Sequence, residues 1–199
     1  MRRDTARELI QKSLNSGLYH HSMRVEETAE KLAAAHNADK EKAALTGLLH
    51  DYGKSYSKQK LLQFASQFNI ADETALHEPN LLHAPVGAWL LEHEIGIKDP
   101  EIVAAVRTHT TGIPKMSLLA QVVYLADYIE PERDCPGVDK IRELAFNDLT
   151  RALLHSVDLT IKYVLERQRI VHPDSINFRN SLIISLQKGR REFYGHEAI

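Results

Sequence analysis

Apolar residues along this chain recur every three or four positions, the spacing of one helical face, and rarely alternate as a strand would require. The pattern predicts helices at about 4–15, 21–36, 40–51, 58–68, 83–94, 99–109, 115–130, 138–167 with a break near Asn147, and 174–194. Turn-forming stretches punctuate them: Gly17, "HEPN" at 77–80, "IGIKDP" at 95–100, "TTGIP" at 110–114, "PERDCPG" at 131–137 and "HPD" at 172–174. Pro100 and Pro114 fit at or just before a helix start. No repeat, low-complexity tract or Pro/Gly/Ser linker divides the chain, so the expectation is one all-α domain over residues 1–199.

The inward-facing stripes end in unusual residues. In "HSMRVEETAEKL", His21 leads Val25, Thr28 or Ala29, and Leu32. In "KAALTGLLHD", His50 continues the row of Ala43 and Gly47, and Asp51 that of Ala44 and Leu48. His83 leads Val86, Gly87, Leu90 and Leu91; His109 closes Ile102, Ala105 and Val106; Asp127 closes Met116, Ala120 and Val123. Of the chain's 11 histidines, His93 and His155 fall off their stripes, and His36, His77 and His196 sit at helix ends or in loops; all five read as solvated.

A single histidine on an apolar face is ordinarily a core residue with its hydrogen bonds satisfied. Four imidazoles and two carboxylates on five stripes are harder to place, because each buried carboxylate needs a compensating charge. A shared cation would satisfy both, and mixed nitrogen and oxygen donors suit iron, manganese, zinc or nickel better than calcium or magnesium alone. Helical bundles hold such sites between facing helices. Neighbouring helical residues point about 100° apart, so His50 and Asp51 can converge only where the helix ends; Gly53 is expected to give the backbone that freedom.

Composition excludes several classes. The net charge of −2 offers no global case for a nucleic-acid or membrane-surface partner. A single cysteine, Cys135, fits a reducing cytoplasm, residues 1–15 lack a signal-peptide core, and no window approaches a membrane span.

"HSMRV", "GLLHDYGK" and the aspartate of "YLADYIEPER" together resemble the H…HD…D signature of the HD-domain metal-dependent phosphohydrolases. With "LLHAPVGAWLL", "VRTHTTG" and "IVHPDSINFRNSL", the chain is similar over roughly residues 15–185 to the bacterial symmetrical diadenosine tetraphosphate hydrolases. That resemblance implies an all-α HD fold holding one or two iron ions, with manganese, zinc, nickel or magnesium as other occupants. It places His21, His50, Asp51 and Asp127 around the first metal. His83 and His109 would complete a second metal site or bind phosphate directly. The implied reaction is hydrolysis of the central pyrophosphate link of a dinucleoside tetraphosphate, giving two ADP.

On that reading Asp51 bridges two metals, Asp127 orients or deprotonates the attacking water, and Lys54, three residues after Asp51, reaches a phosphate; these three form the catalytic set. Arg133 is a candidate phosphate contact, and Thr110 and Thr111 offer hydroxyls beside His109. His20 is a further phosphate candidate, Arg24 a supporting partner for a ligand, and Ile170 and His172 candidate nucleoside contacts in an irregular segment at 169–175. Each also has an ordinary reading, as a solvated side chain or a helix connection. Two alternatives stay open: another HD phosphohydrolase, acting on a nucleotide monophosphate or cyclic nucleotide, and a non-catalytic nucleotide-binding module. A purely structural adaptor leaves the six aligned polar groups unexplained. A homodimer is also left open.

Overall fold

The computed structural model describes residues 1–195, with side chains through residue 188; His196 lies outside the described residues. Eleven α-helices occur among them and no strand: α1 (Arg3–Ser13), α2 (Ser16–Ala35), α3 (Lys40–Leu49), α4 (Lys58–Gln67), α5 (Glu73–His77), α6 (His83–His93), α7 (Pro100–Thr108), α8 (Leu118–Ile129), α9 (Val138–Ala145), α10 (Leu149–Glu166) and α11 (Pro173–Gly195). Two 3₁₀ turns, Tyr52–Ser55 and Pro79–Leu81, precede α4 and α6. The all-α expectation holds.

Most helix starts are set locally. The side chains of Asn15, Asp39, Ser57, Asp72, Asp99, Ser117 and Asp148 each accept a hydrogen bond from a backbone N–H in the first turn that follows. The Asn15 cap corrects one expectation: α2 begins at Ser16, so Gly17 lies inside the helix, and His21 stands in its second turn. The break near Asn147 is present, with α9 ending at Ala145 and Asp148 capping α10. The helix expected from 115 begins at Leu118, because Lys115 takes a left-handed φ of 60° and Ser117 provides the cap. α5 was not legible, being barely more than one turn long.

α2 packs against α3 and α8, α7 packs against α6 and α8, and α10 and α9 close over α8. The core between them includes Val25, Leu32, Leu48, Leu90, Val106, Val123, Leu125 and Leu153, all with no exposed surface. α1 is fastened to α2 by a buried charge: Arg3 Nε donates to Glu26 Oε1 at 2.8 Å and Arg7 Nη2 to the same oxygen at 2.9 Å, while Glu26 is fully buried. Two histidines read as solvated are partly buried; His36 Nε2 donates to the Ala145 carbonyl at 2.6 Å, and His155 is half-buried on α10.

Gly53 plays a different part from the one expected. Its φ is not positive; the chain leaves α3 because Asp51 itself adopts φ −96° and ψ 12° and opens the 3₁₀ turn. Gly53 matters for close approach: a Cβ there would overlap the His83 carbonyl oxygen, and one on Gly87 would lie 2.9 Å from Gly53 N. The pair of bare Cα positions lets the turn after Asp51 lie directly on the first turns of α6. Gly53→Ala should therefore destabilise the protein by about 1–3 kcal/mol in denaturant unfolding, as overpacking does. Gly17→Ala, in an exposed helical turn, should be neutral or stabilise by up to about 1 kcal/mol.

Candidate metal centre

Six side chains from five helices or their ends converge on one buried point. His21 comes from α2, His50 caps the C-terminus of α3 and is followed by Asp51, His83 is the first residue of α6, His109 caps α7, and Asp127 lies in the last turn of α8. His50 and Asp51 have no exposed surface, and His83 and His109 are buried.

Asp51 stands at the centre. Its Oδ2 lies 3.8 Å from His21 Nε2 and 3.4 Å from His50 Nε2; its Oδ1 lies 3.4 Å from His83 Nε2 and 3.6 Å from His109 Nε2. Asp127 Oδ1 closes the first side, 3.0 Å from His21 Nε2 and 3.7 Å from His50 Nε2. The donor atoms thus fall into two groups that share Asp51: His21 and His50 on one oxygen, with Asp127 Oδ1 approaching the same two rings, and His83 and His109 on the other.

Hydrogen bonds at the far side of each ring decide which nitrogen faces inward. Nδ1 of His50, His83 and His109 donates to the carbonyl three residues earlier, that of Gly47 at 2.6 Å, Asn80 at 2.8 Å and Val106 at 2.7 Å. A carbonyl only accepts, so these nitrogens carry a proton and Nε2 is the atom left to face the site, as a lone pair toward a metal or as a donor toward Asp51 without one. His21 differs: its Nδ1 donates to the carboxylate of Glu130 at 3.2 Å, and Arg24 Nε donates to the other Glu130 oxygen at 2.6 Å. A carboxylate behind an imidazole makes it a more basic donor and fixes its plane.

This arrangement fits a divalent metal. The buried atoms His21 Nε2, His50 Nε2 and Asp51 Oδ1 have no hydrogen-bond partner. His83 Nε2 and His109 Nε2 face each other at 3.2 Å while both Nδ1 atoms donate outward, so a shared proton or a metal is what can lie between them. Mixed imidazole and carboxylate donors suit the transition metals.

The charges agree. Burial opposes charge on both groups, yet without a metal Asp51 and Asp127 push the His50 imidazole toward its protonated form, and that charge, the His109 ring and Lys54 hold the Asp51 carboxyl well below the usual carboxylate range; a bound metal would take the place of that proton. Asp127 is likewise held low against burial by His21, His50 and Arg133. Burial and the neighbouring His109 push His83 down to about 3, so it stays neutral and able to donate its lone pair.

The other expected residues divide. Lys54 Nζ donates to Asp51 Oδ2 at 2.7 Å, and Arg133 donates to Asp127 through Nη2 at 2.7 Å and to its carbonyl through Nε at 3.0 Å; both reach the rim of the site. Thr110 follows His109 with a buried hydroxyl that has no partner, while the Thr111 carbonyl accepts from Ser175 Oγ at 3.0 Å. His20 is exposed, with Nδ1 donating to the Ser16 carbonyl at 2.8 Å. His172 is engaged on both sides, accepting from Asp174 N at 3.1 Å and donating to Asp72 at 2.9 Å. Ile170 is exposed in the connection before α11. Glu130 is the residue that sequence reasoning passed over. It lies three positions after Asp127, one turn along the same face, and that spacing was the available signal.

Comparison with known proteins bears on the same residues. Residues 18–132 match the HD domain family. The chain is 39% identical over 183 residues to the symmetrical bis(5'-nucleosyl)-tetraphosphatase of Bacillus subtilis, covering 92% of this chain and 98% of that protein. It is 35% identical to the protein of the same name in Staphylococcus aureus, over 89% of this chain and 92% of that one. A crystal structure from Clostridium acetobutylicum, described as a predicted HD superfamily hydrolase involved in NAD metabolism, superposes with a TM-score of 0.88 at 38% identity, covering 93% of this chain and 98% of that one.

Glu130→Ala should weaken metal retention about 10–100-fold, measured by elemental analysis after dialysis against graded chelator. Glu132→Ala, whose side chain is 70% exposed, should leave retention unchanged.

Proposed function

The chain belongs to the HD-domain family and, within it, to the symmetrical bis(5'-nucleosyl)-tetraphosphatases, and from that membership we propose that it hydrolyses diadenosine tetraphosphate to two ADP. The observation that carries the reading is the division of the Asp51 carboxylate between two sets of imidazoles, His21 and His50 on Oδ2, where Asp127 Oδ1 approaches the same two rings, and His83 and His109 on Oδ1. The sets are read as holding two iron ions, within one domain that spans the chain.

When bound, such ions supply Lewis acidity, which makes water nucleophilic near neutral pH and offsets charge on phosphate oxygens. The side chains do the rest. Asp127, kept ionised, accepts a hydrogen bond from the attacking water and aims its lone pair at one of the two central phosphorus atoms. A new bond forms from the water oxygen to that phosphorus, the bond from the phosphorus to the bridging oxygen breaks, and the bridging oxygen leaves on the second ADP. The water's proton passes to solvent through the partly exposed Asp127.

Lys54 and Arg133 pair with Asp51 and Asp127 at the rim of the site. They provide local positive charge for a tetra-anionic chain on a protein whose net charge is −2. The Thr110 hydroxyl is free to donate to a phosphate oxygen. The nucleoside contacts expected at Ile170 and His172 form no part of this reading, since His172 already uses both ring nitrogens.

The test is product identity. Metal-loaded protein incubated with diadenosine tetraphosphate should yield ADP alone by ion-exchange chromatography; a mixture of AMP and ATP, or free adenosine, would overturn the reading. Asp127→Asn should lower kcat by about 10²–10⁴-fold. His50→Ala and Asp51→Ala should lose bound metal in elemental analysis, and retention of wild-type metal by both would show that the site lies elsewhere.

A further inference from the structure

The turn that follows α8 carries more of the site than its length suggests. Asp127 precedes it, Glu130 within it reaches His21, and Arg133 at its end returns to Asp127. Its internal hydrogen bonds are few: Arg133 N donates to the Glu130 carbonyl at 2.9 Å, and Glu132 N donates to Glu130 Oε2 at 2.9 Å. Two such bonds leave the carbonyls at the end of α8 in need of donors.

Those donors come from one side chain of another helix. Arg142 Nε donates to the Ile129 carbonyl at 3.0 Å, and its Nη2 donates to the carbonyls of Glu130 at 2.9 Å, Arg133 at 2.7 Å and, more weakly, Pro131 at 3.3 Å. Its Nη1 donates to Asp139 at 2.9 Å. The turn therefore wraps its carbonyl oxygens around a single guanidinium. α9, which presents that guanidinium, is anchored independently by Val138, Ile141 and Ala145, all buried.

We propose that Arg142 is a positioning residue for the reaction: it fixes the 129–133 turn so that Glu130 holds His21 and Arg133 holds its place beside Asp127. Arg142 contacts neither the six converging side chains nor the rim cations' charged groups, and no pattern in the sequence marks it. The inference deepens the proposed hydrolysis and rests on it. A cation that merely capped α8 could be any cation; this one must meet carbonyls splayed across several residues, which a planar fork does and a lysine ammonium does only in part. Displacements of about 1 Å in groups that place a substrate cost on the order of 10²-fold in rate.

The experiment combines Arg142→Ala and Arg142→Lys with Glu130→Gln and Arg133→Ala in the metal-loaded full chain. Arg142→Ala should lower kcat/KM for diadenosine tetraphosphate about 10–100-fold, with Arg142→Lys restoring only part. In the Glu130→Gln/Arg133→Ala background the same substitution should cost less than about threefold, because the groups it places are gone. A second arm needs no substrate: Arg142→Ala should weaken metal retention against chelator about tenfold, and add nothing once Glu130 is Gln. Losses that multiply in these backgrounds, a wild-type Arg142→Ala protein, or full rescue by lysine would each overturn the proposal. Should Arg142→Ala fail to fold, the Arg142→Lys cycles decide the same question. If the protein does not cleave the dinucleotide at all, the hydrolytic reading fails while the chelator arm still tests the clamp.

Discussion

A carboxylate with no access to water organises this molecule. Burying the Asp51 charge costs several kcal/mol, and no single neighbour offsets it. Lys54 partners one oxygen at the rim, and four imidazoles stand around the two, each within 3.8 Å. As metal ligands the imidazoles would present lone pairs rather than protons, and the carboxylate would then take its compensating charge from the metal. A cation among the donors would balance the whole cluster, and donors stand on both oxygens of Asp51 to receive it.

The backbone enforces the arrangement at helix ends. His50 and His109 occupy C-caps, where the carbonyl three residues back has no helical donor of its own. Turning Nδ1 onto that carbonyl satisfies an orphan acceptor and chooses the tautomer with one hydrogen bond. His83 reaches the same result from the opposite kind of terminus by using the 3₁₀ turn before α6. His21, inside α2 rather than at its end, has no free carbonyl within reach, and a buried glutamate takes that role. The contact of Gly53 with Gly87 brings the second pair of histidines against Asp51.

Charge is handled locally rather than globally. A protein with a net charge of −2 has no long-range attraction for a polyanion, so affinity must come from the few cations at the rim. Lys54 and Arg133 are already oriented by Asp51 and Asp127, which lowers the entropy lost when they bind a phosphate. Arg142 extends this ordering one layer outward by fixing the backbone from which Glu130 and Arg133 project.

The helices other than α5, the break at Asn147 and the six inward-facing residues were legible in the sequence because each depends on spacing along one helix, and three- and four-residue periodicity survives in any tertiary setting. The capping side chains were not singled out, and where one acts, as Asn15 does for α2, it moves the helix start away from the expected position. Gly53 was singled out correctly for the wrong cause; what it needs is proximity to Gly87, a residue on another helix. What Glu130 meets, the pairing of His172 with Asp72 and the grip of Arg142 on the turn were decided by tertiary structure. Those interactions join residues that are 109, 100 and 9–13 positions apart in the chain, where no helical period relates one to the other. Periodicity says which way a side chain points from its own helix, and only the packing of helices says what it meets there.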